Sequence, residues 1–63
     1  MNPLEIYTDA GRKAGLAAKR KDMATVTHWQ SWCNRAVAME ADDRKPACRE
    51  AFRTAYREAN GLR

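Results

Sequence analysis

The sequence has only two cysteines, one histidine and three glycines, and it has no long apolar run. Each shortage excludes a class of protein. A membrane-spanning helix needs about 20 consecutive apolar residues, and no stretch approaches that. A structural zinc site needs four closely spaced ligands. Cys33, Cys48 and His28 stand apart with no C-x-x-C spacing, so no metal or other cofactor is expected. Two thiols do not make the disulfide framework of a small secreted domain. Both fall on apolar faces of predicted helices, where a free buried cysteine is expected. The glycines (Gly11, Gly15 and Gly61) are too scattered to cradle a phosphate. The opening "MNPLEIYTDAG" has no basic start followed by an apolar core, so a cytoplasmic chain is expected.

What remains is short, charged and helical. Sixty-three residues make one domain, 1–63. A chain of this size buries roughly 60% of the surface that its unfolded form exposes. Cores of this size rarely supply more than about 3–5 kcal/mol without a staple, a gap that a metal, a disulfide, a partner or a second copy could each fill. Twelve Lys and Arg oppose eight Asp and Glu, a net charge of +4. The excess is even: residues 1–33 hold five basic and three acidic groups, and residues 34–63 seven and five. A spread positive charge suits an acidic surface on a protein, or a nucleic acid.

The periodicity predicts an all-α, three-helix domain over about 3–20, 23–41 and 44–60. It is an antiparallel helix hairpin followed by a third helix. Asn2, Pro3 and Glu5 read as an N-cap, a first-turn proline and a capping-box acid. Tyr7, Ala10, Ala14 and Ala17 recur at helical spacing and form an unusually small face, flanked by Leu4, Gly11 and Ala18. Gly11 and Gly15 read as close helix packing. Asp22 is the expected cap of the second helix. Met23, Val26, Trp29, Trp32, Cys33, Ala36, Val37 and Met39 then cover an arc of roughly 200°, so this helix is expected at the centre of the fold. An arc so broad on so short a chain also predicts a homodimer. Asp42 and Asp43 are expected to cap the third helix, with Pro46 in its first turn. Its inner face reads Ala47, Cys48, Ala51, Phe52, Ala55, Tyr56 and Ala59, and Arg49, Arg53 and Arg57 form an outward ladder. Asn60-Gly61-Leu62 is a strong stop, with Leu62 folding back.

An enzyme is not expected. His28 has no convincingly placed nucleophile or orienting acid, and so small a core leaves little room for a water-excluding site. Binding is the expected work. Trp, Met and Arg are enriched in protein interfaces. Leu16, His28, Trp32, Arg35 and Met39 are the candidate partner-binding residues. Lys19, Arg20, Lys21, Arg49 and Arg53 would steer the chain to an acidic surface, mainly through the association rate.

Leu16-Ala17 and Thr25-Val26-Thr27-His28-Trp29 resemble the first helix and the recognition-helix start of helix-turn-helix proteins. That resemblance implies DNA reading by Thr27, His28, Ser31, Asn34 and Arg35. The chain departs from the family pattern at Lys21, where a glycine is usual, at Arg20, where an apolar residue is usual, and in a spacing one residue short. Gly15, Ala18 and Lys21-Asp22-Met23 resemble the helix hairpin of tetratricopeptide-type repeats, without a second copy of the period. In size, charge and helical make-up the whole chain resembles the small helical proteins that bacteriophages make early in infection. That resemblance implies a stoichiometric inhibitor or adaptor of a host protein.

Overall fold

The computed structural model describes residues 3–61. It holds α1 (Glu5–Lys19), α2 (Met23–Ala38) and α3 (Lys45–Ala59), and no strand among the described residues. The all-α, three-helix expectation holds: α1 and α3 are one or two residues shorter at each end, and α2 starts as expected but ends three residues earlier. Asn2 and Leu62, expected as a cap and a fold-back contact, lie outside the described residues. Leu4 stands at the N-cap position of α1, with no side-chain cap hydrogen bond.

The centre of the fold is α1, not α2. Tyr7, Ala10, Gly11, Ala14, Gly15 and Ala17 are buried on it, against only Val26, Cys33 and Val37 on α2. α1 packs on both other helices, most extensively on α3, whereas α2 and α3 meet least. The reason is residue size. A Cβ built on Gly11 would strike the carbonyl oxygen of Phe52 and stand 3.0 Å from the Ala55 Cβ. One built on Gly15 would strike the carbonyl of Tyr56 and stand 2.7 Å from the Ala59 Cβ. The G-x-x-x-G spacing therefore brings two backbones of one chain together, and α1 and α3 run parallel through it. The contacts of Tyr7 with Trp32 and of Lys13 with Trp29 set α2 antiparallel to α1.

The larger side chains close the end of the bundle. Tyr7, Cys33, Val37 and Cys48 form one buried cluster, with Leu4, Trp32, Ala36, Ala51 and Phe52 packed around it. Both cysteines are free. Burial pushes the Cys33 thiol upward, although Arg49 partly opposes the shift, so it stays protonated and unreactive. The phenol of Tyr7 donates to Glu40 Oε2 at 2.9 Å. Glu40 thus pins the segment after α2 to the first turns of α1. α2 stops at Ala38, and the backbone N–H groups of Met39 and Glu40 bond back to Ala36 and Val37.

The α1–α2 turn is made by Arg20 and Lys21. Lys21 takes φ 62, the left-handed region. Its N–H bonds to the Ala18 carbonyl at 2.9 Å, and the Asp22 N–H to Ala17 at 2.8 Å. This is the Schellman pairing that usually employs glycine. Asp22 then caps α2 as expected, accepting from the Thr25 N–H at 3.3 Å and the Thr25 hydroxyl at 2.7 Å. Those bonds hold its carboxyl below the usual range. A side chain in the left-handed region costs about 1 kcal/mol. Lys21→Gly is therefore expected to raise stability by roughly 0.5–1 kcal/mol in urea unfolding, less than the full strain because glycine is freer when unfolded. A loss of stability would show that the Lys21 side chain makes an interaction worth more than its strain.

α3 begins differently from the expectation. Its N-cap position is Arg44, with no side-chain cap. Asp42 instead pairs with Lys45 Nζ at 2.6 Å, and Asp43 is exposed. Pro46 lies in the first turn as expected. Ala47, expected on the inner face, is exposed. The other end closes on Gly61 at φ 79, whose N–H bonds to Glu58 at 3.1 Å.

Candidate functional site

α2 owes its outward face to the narrowness of its inward one. Val26, Cys33 and Val37 are buried, and Trp29, Trp32 and Ala36 are half-buried beside them. That arc is narrower than the apolar spacing suggests, because Met23 and Met39 lie outside it, 60% and 89% exposed. Met23 and Met39 are the part of the apolar arc that the described residues leave uncovered. The uncovered side chains at its rim do need an account.

Four of the five candidate partner-binding residues share one edge. His28, Trp32, Arg35 and Met39 recur at i, i+4, i+7 and i+11, so they form a stripe about 16 Å long. His28, Arg35 and Met39 are exposed, and Trp32 is half-buried. Trp32 stands 5.5 Å from the Tyr7 ring and 6.0 Å from Trp29. It is thus both a wall of the core and a partly open surface. His28 meets the Trp29 ring edge-on at 5.1 Å, and Lys13 of α1 lies 5.1 Å over the same indole. Aromatic and cation–π contacts of this kind are worth about 0.5–1.5 kcal/mol each, so they fix the edge rather than leave it mobile.

Leu16 does not join this group. It is 43% exposed and lines a shallow groove with Thr8, Arg12, Ala55, Glu58 and Ala59, between α1 and α3. Ile6, not singled out from the sequence, is 45% exposed. It stands seven residues before Lys13 and so shares that residue's strip of α1, which borders the tryptophan edge of α2. Its one signal in the sequence is a large aliphatic residue just off the alanine face.

Thr27, Ser31 and Asn34 are also exposed on α2, Asn34 furthest from that edge, and with His28 and Arg35 they make an outward arc of five polar residues. α2 carries no acidic residue over its 16 positions. Lys19, Arg20 and Lys21 are exposed at the α1–α2 turn, and Arg49 and Arg53 on α3. None of these five cations makes an ion pair; the two pairs among the described residues are Arg12–Asp9 and Lys45–Asp42. Among the described residues His28 makes no hydrogen bond, and no three His, Cys, Asp or Glu converge as metal ligands. No helix among them is long and apolar enough to cross a membrane. No family model, no curated protein and no solved structure matches the chain.

Proposed function

We propose that the chain is a non-catalytic protein-binding module, a stoichiometric inhibitor or adaptor of a regulatory protein in the cytoplasm. The observation that carries this reading is Met39, 89% exposed at the end of a stripe that also holds His28, Trp32 and Arg35. Burying a methionine side chain is worth about 1.5–3 kcal/mol, and nothing among the described residues takes that up. The unpaired cations around α2 favour an acidic partner surface and a fast encounter. The resemblance to small bacteriophage early proteins implies a host protein as the target. A second copy of the chain is a partner of the same kind, and sedimentation of the purified protein reads it directly.

The test is affinity capture from a bacterial lysate, with Met39→Glu beside the unaltered chain. Met39 is so exposed that the variant is expected to fold normally. It should weaken the captured complex by about tenfold or more, since 1.4 kcal/mol is a factor of ten. Equal capture by both chains would remove the α2 edge from the interface. Trp32 is a poorer choice for this purpose because it packs on Tyr7.

One observation favours a second reading, DNA binding. Lys21 adopts the left-handed turn conformation for which helix-turn-helix proteins use glycine, and Thr27, His28, Ser31, Asn34 and Arg35 all face outward. A DNA reader shifts a duplex with log affinity falling linearly in log salt, and loses sequence preference in an Asn34→Ala, Arg35→Ala double variant.

A further inference from the structure

α2 and α3 both lean on α1 and meet each other least, so a groove remains between them. Gln30, Cys33, Asn34, Arg49 and Phe52 line it, around a volume of about 280 Å³. It lies on the opposite flank of α2 from the His28–Met39 stripe, so failure of that stripe as an interface does not decide it, and of the DNA-reading residues it shares Asn34 alone. The groove is just under the roughly 300–1,000 Å³ of small-molecule sites, which suits side chains of a segment lying across it better than a cofactor.

The lining has a particular chemistry. The side-chain amides of Gln30 and Asn34 make no hydrogen bond within the described protein, and the Arg49 guanidinium makes no ion pair. Gln30 and Asn34 stand four residues apart on one helix, about 6 Å along its axis. Two residues of an extended chain span about 6.6 Å, so the two amides match alternate peptide groups of a strand laid along α2. Each amide offers both a donor and an acceptor, as a peptide backbone requires. Phe52 is half-buried and stacks on Tyr56 at 6.5 Å, which gives the groove a fixed apolar floor. Arg49 presents a fork that carboxylates fit in two places at once.

We infer that this groove binds an extended acidic peptide segment of a partner protein, of the pattern apolar–any–acidic. The apolar side chain rests on Phe52, the carboxylate pairs with Arg49, and the intervening backbone bonds to Gln30 and Asn34. The charge pattern selects a peptide over a nucleic acid. Successive members of the Arg49, Arg53, Arg57 ladder rotate by about 40° around α3, so only Arg49 faces the groove. A phosphate row would need several converging cations, and it would meet Glu50 beside the ladder.

The experiment uses the full chain, isotopically labelled, and a capped Ser-Leu-Ser-Glu-Ser peptide at up to about 1 mM, the weak end of specific binding. The side-chain amide resonances of Gln30 and Asn34 are expected to shift. Replacing the peptide's Glu by Gln, or making Arg49→Gln, should weaken the binding about tenfold. Arg57→Gln should leave it unchanged, and circular dichroism should show both variants folded. The inference is overturned if the amides do not move, if R49Q binds as well as the parent, if R57Q weakens binding as much as R49Q, or if a single-stranded oligonucleotide moves the same resonances as strongly as the peptide.

Discussion

Gly15→Ala is expected to destabilise the domain by about 2 kcal/mol, and Gly11→Ala by a similar amount. On an exposed helix the same substitution would stabilise by about 1 kcal/mol, because alanine is the better helix former. The sign reverses here because of what the new methyl group meets. At Gly15 it meets the Tyr56 carbonyl and the Ala59 Cβ, and at Gly11 the Phe52 carbonyl and the Ala55 Cβ. Backbone carbonyls within a helix cannot swing aside as a lysine tip can, so α3 must move bodily away from α1. The other contacts along that seam, including buried Ala14 and Ala55, then loosen together. Overpacking of this kind costs about 1–3 kcal/mol, with the helix-propensity gain already working against it. Cores of this size rarely supply more than about 3–5 kcal/mol, so the double variant is expected to be unfolded at room temperature. Thermal melts followed by far-ultraviolet circular dichroism read both results. A higher melting temperature in either single variant would mean that α1 and α3 are not in backbone contact.

The second large effect is at Tyr7. Its side chain is 1% exposed, touches Trp32 and lies in the cluster with Cys33, Val37 and Cys48. Tyr7→Ala is expected to cost about 3–5 kcal/mol, as much as a core of this size commonly supplies. Tyr7→Phe keeps the ring and removes only the bond to Glu40. Glu40 is half-buried and can turn to water, so about 1 kcal/mol is expected. The hydroxyl also sets an alkaline limit. Burial first, and then the bond to Glu40, push the phenol well above its ordinary value of 10.0. The folded state therefore keeps its proton where the unfolded chain has lost it. The resulting stability is fully present below pH 10.0 and falls as the pH rises beyond it. Urea midpoints should drop as the pH rises above about 10 in the parent protein, and drop much less in Tyr7→Phe. Parallel slopes in the two proteins would place the alkaline loss elsewhere.

The helices themselves were legible in the chain, and so were several of their ends. Asp22 as a cap and Gly61 as a stop follow from local chemistry, which acts within a few residues and is written in them. The small face of Tyr7, Ala10, Ala14 and Ala17 also predicted close approach. The central helix was not legible in the same way. Bulk on α2 suggested a centre, yet Met23, Trp29, Trp32 and Met39 are long enough to reach a neighbour from the rim or to miss it. Alanine and glycine have no reach, so they are buried only where backbones come close. The glycine pair of α1 was the better sign of centrality, and large side chains were the poorer one. Lys21 hides its left-handed turn because a lysine advertises nothing of it. α3 was misread at its start because Asp42 found a cation, Lys45, rather than the helix end.

The candidate edge was partly legible for a related reason. His28, Trp32, Arg35 and Met39 lie on one helix, where spacing alone places them together. Leu16 lies on another, and its neighbours depend on how α1 sits against α3. Spacing within a helix says nothing of that angle. The groove behind Arg49 was hidden for the same reason, since its lining comes from two helices that touch each other little.

Every functional claim above depends on α1 being the innermost helix, which leaves α2 covered on one side alone. Native-state hydrogen exchange tests this most directly, because the most enclosed helix opens only with global unfolding. The account predicts that the slowest amides lie on α1 between Ala10 and Ala17, with α2 exchanging faster along its whole length. The slowest amides falling instead on α2, around Trp29 to Val37, would contradict it.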